Sequence, residues 1–266
     1  MKSKLSDATR IVVKVGTSTL TYSTGLINIR KVESLVRCLS DIQNSGKQVV
    51  LVSSGAVSSG FAKIGFPIGH AITTEEKQAA AAVGQCELIN MYDRLFSAYG
   101  HKVGQVLLTK DVIDDLVRRQ HAEVTLKILL DMGCIPIINE NDTVSSEELR
   151  FGGNDTLSAI VAELCEADLL INLSDIDGFF DSDPRTNRSA KLIERVTEIT
   201  PELEAAAGGA GTGRGTGGMI AKLKAAKMAN ACGVDMVIAN GKEPEILYDI
   251  LDGTAKCTVF EAKKEN

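Results

Sequence analysis

The sequence has no close pair of cysteines, no long apolar run and no excess of basic charge. Its six cysteines, at 38, 86, 134, 165, 232 and 257, are scattered and nowhere form a CxxC pair. Metal and disulfide frameworks use close or patterned spacings, so buried free thiols are expected, and no metal site. No apolar stretch reaches the roughly 18 residues that a membrane-spanning helix requires. The opening MKSKLSDATR has neither the apolar core nor the small-residue cleavage site of a signal peptide, which predicts a soluble, cytoplasmic protein. With 29 basic against 35 acidic residues the formal net charge is −6, which leaves no global basic surface for nucleic acid or anionic lipid. Only five prolines occur, with no Pro/Ser-rich linker and no internal repeat, so residues 1–266 read as a single domain. Hydrophobic residues make up 44%, enough for a packed core and too many for a disordered chain.

What is present is an alternation. Short β-branched or apolar runs at 11–15, 48–52, 103–108, 135–138, 168–173 and 235–239 read as strands covered on both faces. Between them lie helical patterns. In 28–45, Ile29, Val32, Leu35, Val36, Leu39 and Ile42 share one stripe, with Asn28 as N-cap and Gly46 as stop. The helix at 73–99 opens with Thr73 and Glu76 at capping-box spacing. Further helices are expected at 111–132, 154–166 and 219–232. Strand–helix alternation of this kind implies an α/β fold, a doubly wound and mainly parallel sheet with right-handed crossovers.

In such a sheet ligands sit where strands end and helices begin. Five segments at such places carry chemistry. KVGTS (14–18) puts Lys14 at the end of an apolar strand; it needs an anionic partner, unless it lies at an edge and reaches water. SSGAVSSG (53–60) offers Ser53, Ser54 and a backbone approachable at Gly55, or is simply a turn capping a helix. INENDTV (138–144) and GGNDTLSA (152–159) gather Asn139, Glu140, Asn141, Asp142, Asn154 and Asp155 on either side of an expected hairpin. Asn154 or Asp155 would serve as a helix N-cap, but the two clusters together also suit an ammonium group or the shell of Mg²⁺. LSDIDGFFDSDPR (173–185) sets Ser174 and Asp175 at a strand's carboxyl end, where nucleotides bind. GTGRGTGGMIAK (211–222) matches GxGxxG formally, but it does not follow a first strand, and no Walker motif occurs. It reads as a glycine-rich anion cradle with Lys222, a surface-loop lysine, about one turn into the helix.

Two lysines, an anion loop and two Asn/Asp clusters on one sheet edge are the inventory of phosphoryl transfer. No histidine falls in these segments. A carboxylate acceptor, already ionised at neutral pH, needs no base.

The ordered set KVGTS, VSSGAV, INENDTV, GGNDTLSA, LSDIDGFFDSDPR and GTGGMIAK resembles the glutamate 5-kinases of the amino-acid kinase family over about residues 10–260. The resemblance implies a three-layer αβα sandwich around a mainly parallel sheet. It also implies ATP and Mg²⁺ as cofactors, and phosphorylation of the L-glutamate side-chain carboxylate as the first step of proline biosynthesis. Lys14 and Lys222 would contact ATP phosphates, with Asp155 orienting both. Ser54, Gly55, Asn139, Asp142 and Asn154 would hold glutamate. Ser174, Asp175, Thr216, Gly217, Gly218 and Met219 would join the lysines on ATP. The glutamate part would span about 1–165 and the ATP part about 166–266. Proline as feedback inhibitor and a homo-oligomer are expected from the same resemblance. Two departures stand out. Gly153 occupies a place where many relatives carry an acidic residue; its loss either weakens glutamate affinity or leaves that work to Asp142 and Glu140. The chain also has no room for the small RNA-binding-like (PUA) domain that many relatives append. Acetylglutamate kinase, carbamate kinase, a non-catalytic metabolite sensor and a nicotinamide-dependent dehydrogenase are the competing readings.

Overall fold

The apolar runs become strands. The structure is a computed structural model that describes residues 4–22, 24–66, 70–145, 153–184, 186–208 and 218–263. The strands are β1 (Arg10–Val15), β2 (Gln48–Val52), β3 (Val103–Leu108), β4 (Ile135–Glu140), β5 (Leu169–Ser174), β6 (Arg195–Val196), β7 (Asp235–Asn240) and β8 (Cys257–Phe260). They form one sheet in the order β3-β4-β2-β1-β5-β7-β8-β6. Every pairing is parallel except β7 with β8. β1 is therefore central, flanked by β2 and β5.

The helices are α1 (Thr17–Leu20), α2 (Ile29–Asn44), α3 (Ala56–Ile64), α4 (Thr74–Ser97), α5 (Lys110–Asp114), α6 (Leu116–Asp131), α7 (Asn154–Leu164), α8 (Pro201–Gly208), α9 (Met219–Ala231) and α10 (Ile246–Asp252). They cover both faces of the sheet. Because side chains alternate along a strand, Ile11, Val13 and Val15 pack with α2, α4 and α10, while Val12 packs on the other side with α6, α7 and α9. This is the three-layer αβα arrangement expected, and Lys14, two residues after Val12, points into the α7–α9 layer.

Several expectations need correction. The helix read over 111–132 is broken at Asp115, whose backbone is extended (φ −88°, ψ 117°) and whose carboxylate caps α6 by accepting from the N–H of Val117 and Arg118. Neither Asn154 nor Asp155 is an N-cap. Gly153, at φ 109°, takes that position and leaves both side chains inside the first turn, available for other work. The thiols are free but not uniformly buried: Cys38, Cys165 and Cys257 are, whereas Cys86 and Cys232 are exposed. The elements α1, α8, α10, β6 and β8 were not read from the sequence, whereas α3 is the helix that the 53–60 turn caps, with Gly55 as its N-cap. Asn28 does cap α2, accepting from Lys31 N–H, and Thr73 and Glu76 do form the capping box of α4.

The tightest helix contact involves two glycines. A Cβ built on Gly84 of α4 would lie 1.8 Å from the carbonyl oxygen of Ala56, and one on Gly60 of α3 would lie 1.8 Å from that of Ala80. The two helices thus cross backbone against backbone. This crossing sets how closely α4 approaches the loop that precedes α3.

Candidate active site

Lys14, Asp155 and Lys222 meet at the carboxyl end of the sheet, although Asp155 and Lys222 alone are 67 residues apart along the chain. Lys14 Nζ lies 2.6 Å from Asp155 Oδ1, and Lys222 Nζ lies 3.2 Å from Asp155 Oδ2. All three side chains are buried, with relative exposures of 8%, 2% and 8%. The alternative of an edge lysine is excluded, because β1 is the middle of the sheet. Lys222 is also not on a surface loop: it lies in the first turn of α9, buried against the sheet.

Asn172 completes the group. It is the register partner of Lys14 across β1 and β5, fully buried, and its Nδ2 donates to Asp155 Oδ1 at 2.7 Å. Burial alone would raise the proton affinity of Asp155. Lys14, Lys222 and the Asn172 hydrogen bond outweigh it and hold the carboxyl below its ordinary value. Lys14 is also pushed below its ordinary value, first by burial and further by the charge of Lys222, which together exceed the pull of Asp155. Both partners of one ion pair therefore move down, Lys14 chiefly because it is buried and Asp155 because two ammonium groups face it.

One residue earlier on the same helix, Asn154 faces a different set of partners. Its Nδ2 donates to Ser53 O at 2.8 Å, Ser54 Oγ at 2.7 Å and Asn139 Oδ1 at 3.0 Å. Ser54 precedes Gly55, which caps α3 in the left-handed region (φ 103°), and Asn139 lies near the end of β4. Ser53 is fixed from behind by Tyr92 at 2.9 Å. Asp142 sits half-buried in the turn that follows β4. So three of the expected glutamate contacts form one hydrogen-bonded cluster, and the two expected lysines and their carboxylate form another. Adjacent residues of α7, Asn154 and Asp155, join the two.

Ser174 and Asp175 close β5, with Ser174 Oγ donating to Asp175 at 3.2 Å. Gly218 is the N-cap of α9 and Met219 its first residue. Thr216 and Gly217 lie outside the described residues. Sequence reading missed Asn172, Gln85, Gly60 and Gly84. A signal for Asn172 existed: it interrupts an apolar strand just as Lys14 does. Among the described residues no group of three or more His, Cys, Asp or Glu is placed to hold a metal ion, and no helix is long and apolar enough to cross a membrane.

A mainly parallel sheet with two buried lysines around one carboxylate at its carboxyl edge defines an α/β protein with a charged strand-end cluster, and comparison with known proteins narrows it. The amino acid kinase family model matches residues 9–240, and the chain belongs to that family. Within it, the chain falls among the glutamate 5-kinases: it is 55% identical to the Clostridium perfringens glutamate 5-kinase over 99% of both chains. It is 50% identical to that of Listeria innocua, over 100% of this chain and 97% of the relative. Among solved structures it resembles the Giardia lamblia carbamate kinase bound to AMP-PNP (TM-score 0.68, 14% identity, 96% and 99% coverage). It also resembles an isopentenyl phosphate kinase in its substrate complex (TM-score 0.66, 20% identity, 95% and 100% coverage). At those identities the likeness concerns the fold.

Proposed function

We propose that the chain transfers the γ-phosphoryl group of ATP to the side-chain carboxylate of L-glutamate, giving ADP and L-glutamyl 5-phosphate, the first step of proline biosynthesis. The observation that carries this reading is the adjacency on α7 of Asn154, bonded to the Ser54 loop and Asn139, and Asp155, bonded to Lys14 and Lys222. It puts a polar amide cluster for an amino acid beside two ammonium groups for a polyphosphate.

In this reading the glutamate carboxylate attacks the γ-phosphorus in line, and the bond to the bridging oxygen of ADP breaks. The acceptor is ionised, so no protein group need remove a proton. Charge on the transferring group spreads over its outer oxygens, and Lys14 and Lys222 stabilise it there. Asp155 holds the two ammonium groups apart and aimed. The first turn of α7 adds backbone N–H groups at the same place. Ser54, Gly55, Asn139, Asp142 and Asn154 hold glutamate; Ser174, Asp175 and the start of α9 at Gly218 and Met219 hold the nucleotide. The glutamate part is the chain up to about residue 165, and the ATP part is the remainder, with Lys14 reaching across.

Mg²⁺ would enter on the triphosphate. The oxygens of Asp155 are taken by Lys14, Asn172 and Lys222, and a hard cation that keeps water and phosphate oxygens as ligands needs no protein cage. Bound there, it supplies neutralisation of the β- and γ-phosphate charge.

Release of ADP with glutamate, N-acetylglutamate or carbamate as acceptor, with and without Mg²⁺, tests the proposal. Turnover with N-acetylglutamate or carbamate and none with glutamate would overturn it. The proposal includes a cytoplasmic homo-oligomer with proline as feedback inhibitor. Leu116 and Val117 at the start of α6 and Met132 just past its end, 82%, 62% and 70% exposed, are apolar surface that a second copy would cover. Sedimentation, and glutamate titrations at fixed proline, are the checks.

A further inference from the structure

Gln85 belongs to none of the chemical motifs, yet it is the one amide on the buried stripe of α4, which otherwise consists of Ala80, Ala81, Gly84, Leu88, Tyr92 and Phe96. It is only 9% exposed, and its Oε1 accepts from Asn139 Nδ2 at 2.9 Å. The direction of that bond follows from the far side of Asn139. The backbone N–H of Glu140 can only donate, and it donates to Asn139 Oδ1 at 2.9 Å. Asn154 Nδ2 donates to the same oxygen. With its oxygen committed, Asn139 must turn its NH₂ toward α4, where only an acceptor can meet it.

Gln85 supplies that acceptor at a cost. Its own Nε2 is buried without a hydrogen-bond partner among the described residues. Turning the amide over would set two NH₂ groups against each other, so the unpaired nitrogen is what remains when Oε1 stays on Asn139. The consequence passes along the chain of amides. Asn154 spends its NH₂ on Ser53, Ser54 and Asn139, which leaves its carbonyl oxygen as the acceptor on the opposite side. An acceptor oxygen is what the α-ammonium group of an amino acid requires. Two turns earlier on the same helix, Gln78 Nε2 donates to Ser145 O at 3.2 Å, so α4 braces the segment after β4 at a second point.

We infer that Gln85 is a positioning residue for glutamate: without touching substrate, it fixes Asn139, and through it Asn154, in the orientation that receives the ammonium group. The inference rests on the glutamate-kinase reading above. Its test is steady-state ADP release by Gln85→Met, which keeps the length and removes the acceptor, and by Gln85→Glu, which keeps an acceptor oxygen. Gln85→Met is expected to raise KM for glutamate about tenfold or more while KM for ATP stays within about twofold, the pattern of one lost polar contact at one substrate. Gln85→Glu is expected to recover most of that loss. An unchanged glutamate KM in Gln85→Met overturns the inference, as does a parallel rise in both KM values or failure of Gln85→Glu to recover. Should Gln85→Met not fold, Gln85→Asn, which withdraws the acceptor by one methylene, carries the same expectations. A wild-type protein that releases no ADP with glutamate would instead refute the kinase reading itself.

Discussion

Replacing Gly84 by alanine pits two effects of opposite sign against each other. In the middle of a helix, glycine to alanine stabilises by about 1 kcal/mol, because alanine loses less backbone entropy and shields the helix backbone. At Gly84 the added methyl would sit 1.8 Å from Ala56 O and 2.5 Å from Gly60 N. Ordinary contact starts near 3.4 Å, so α3 and α4 must separate by roughly 1.6 Å. Neither obstacle is a side chain that can swing away; both are backbone. Overpacking of this kind costs about 3 kcal/mol, so the net loss is about 2 kcal/mol after the helix gain. For a chain of this length that lowers the melting midpoint by roughly 4–8 °C. Moving α3 also moves the Ser54–Gly55 loop, and moving α4 moves Gln85, so KM for glutamate should rise while KM for ATP holds. Thermal unfolding followed by circular dichroism is the assay, and the sign of the shift shows which of the two effects wins. An unchanged or higher midpoint in Gly84→Ala would falsify the backbone-to-backbone crossing. Gly60→Ala, whose methyl would meet Ala80 O at the same distance, should behave alike. The double variant should lose less than the sum, since the helices need part only once.

Asp155→Asn removes the charge that both lysines share; kcat should fall about 10²–10³-fold, as when an oriented electrostatic group is lost, and a drop of less than tenfold would count against its orienting role. Lys222→Ala should also reduce kcat by at least about 10²-fold. Because Lys222 is buried and paired, this variant should also melt several degrees lower; a midpoint equal to the wild type would restore the picture of a surface lysine. The pH profile follows from Lys14. Burial and Lys222 lower its proton affinity from 10.5, and phosphate needs it charged, so kcat/KM should decline on the alkaline side below pH 10.5, earlier than an exposed lysine would allow. A rate that stays flat through pH 10.5 would contradict that assignment.

How far the sequence could be read depended on which forces acted locally. The strands of the parallel core were legible to within a residue or two because burial on both faces demands unbroken apolar runs, as in VVLV of β2 and IPII of β4. The capped starts of α2 and α4 were legible for a similar reason, since a cap is satisfied by residues three apart. Helix α3 was legible only through its capping turn, because it packs through glycines and backbone. The break at Asp115 was missed because an aspartate inside an amphipathic pattern looks the same whether it caps a helix or faces water. Lys14, Asp155 and Lys222 do meet, and the anionic partner that a covered strand demands of Lys14 is Asp155, yet the burial of Lys222 was not foreseen. Whether Lys14 sits at an edge or in the centre depends on strand order, which distant parts of the chain decide. Gln85 lay furthest from view, since a glutamine on a helix gives no hint that its partner is on a strand 54 residues away.

The adjacency of Asn154 and Asp155 has a mechanical consequence. Two neighbours on a helix are separated by about 1.5 Å of rise and about 100° of turn, and no hinge can be inserted between them. Any tilt or slide of α7 therefore carries the amide cluster around Asn154 and the anchor of the two cations as one rigid body. In the proposed reaction, the spacing between the two clusters is held by a single peptide unit, the stiffest ruler the chain possesses.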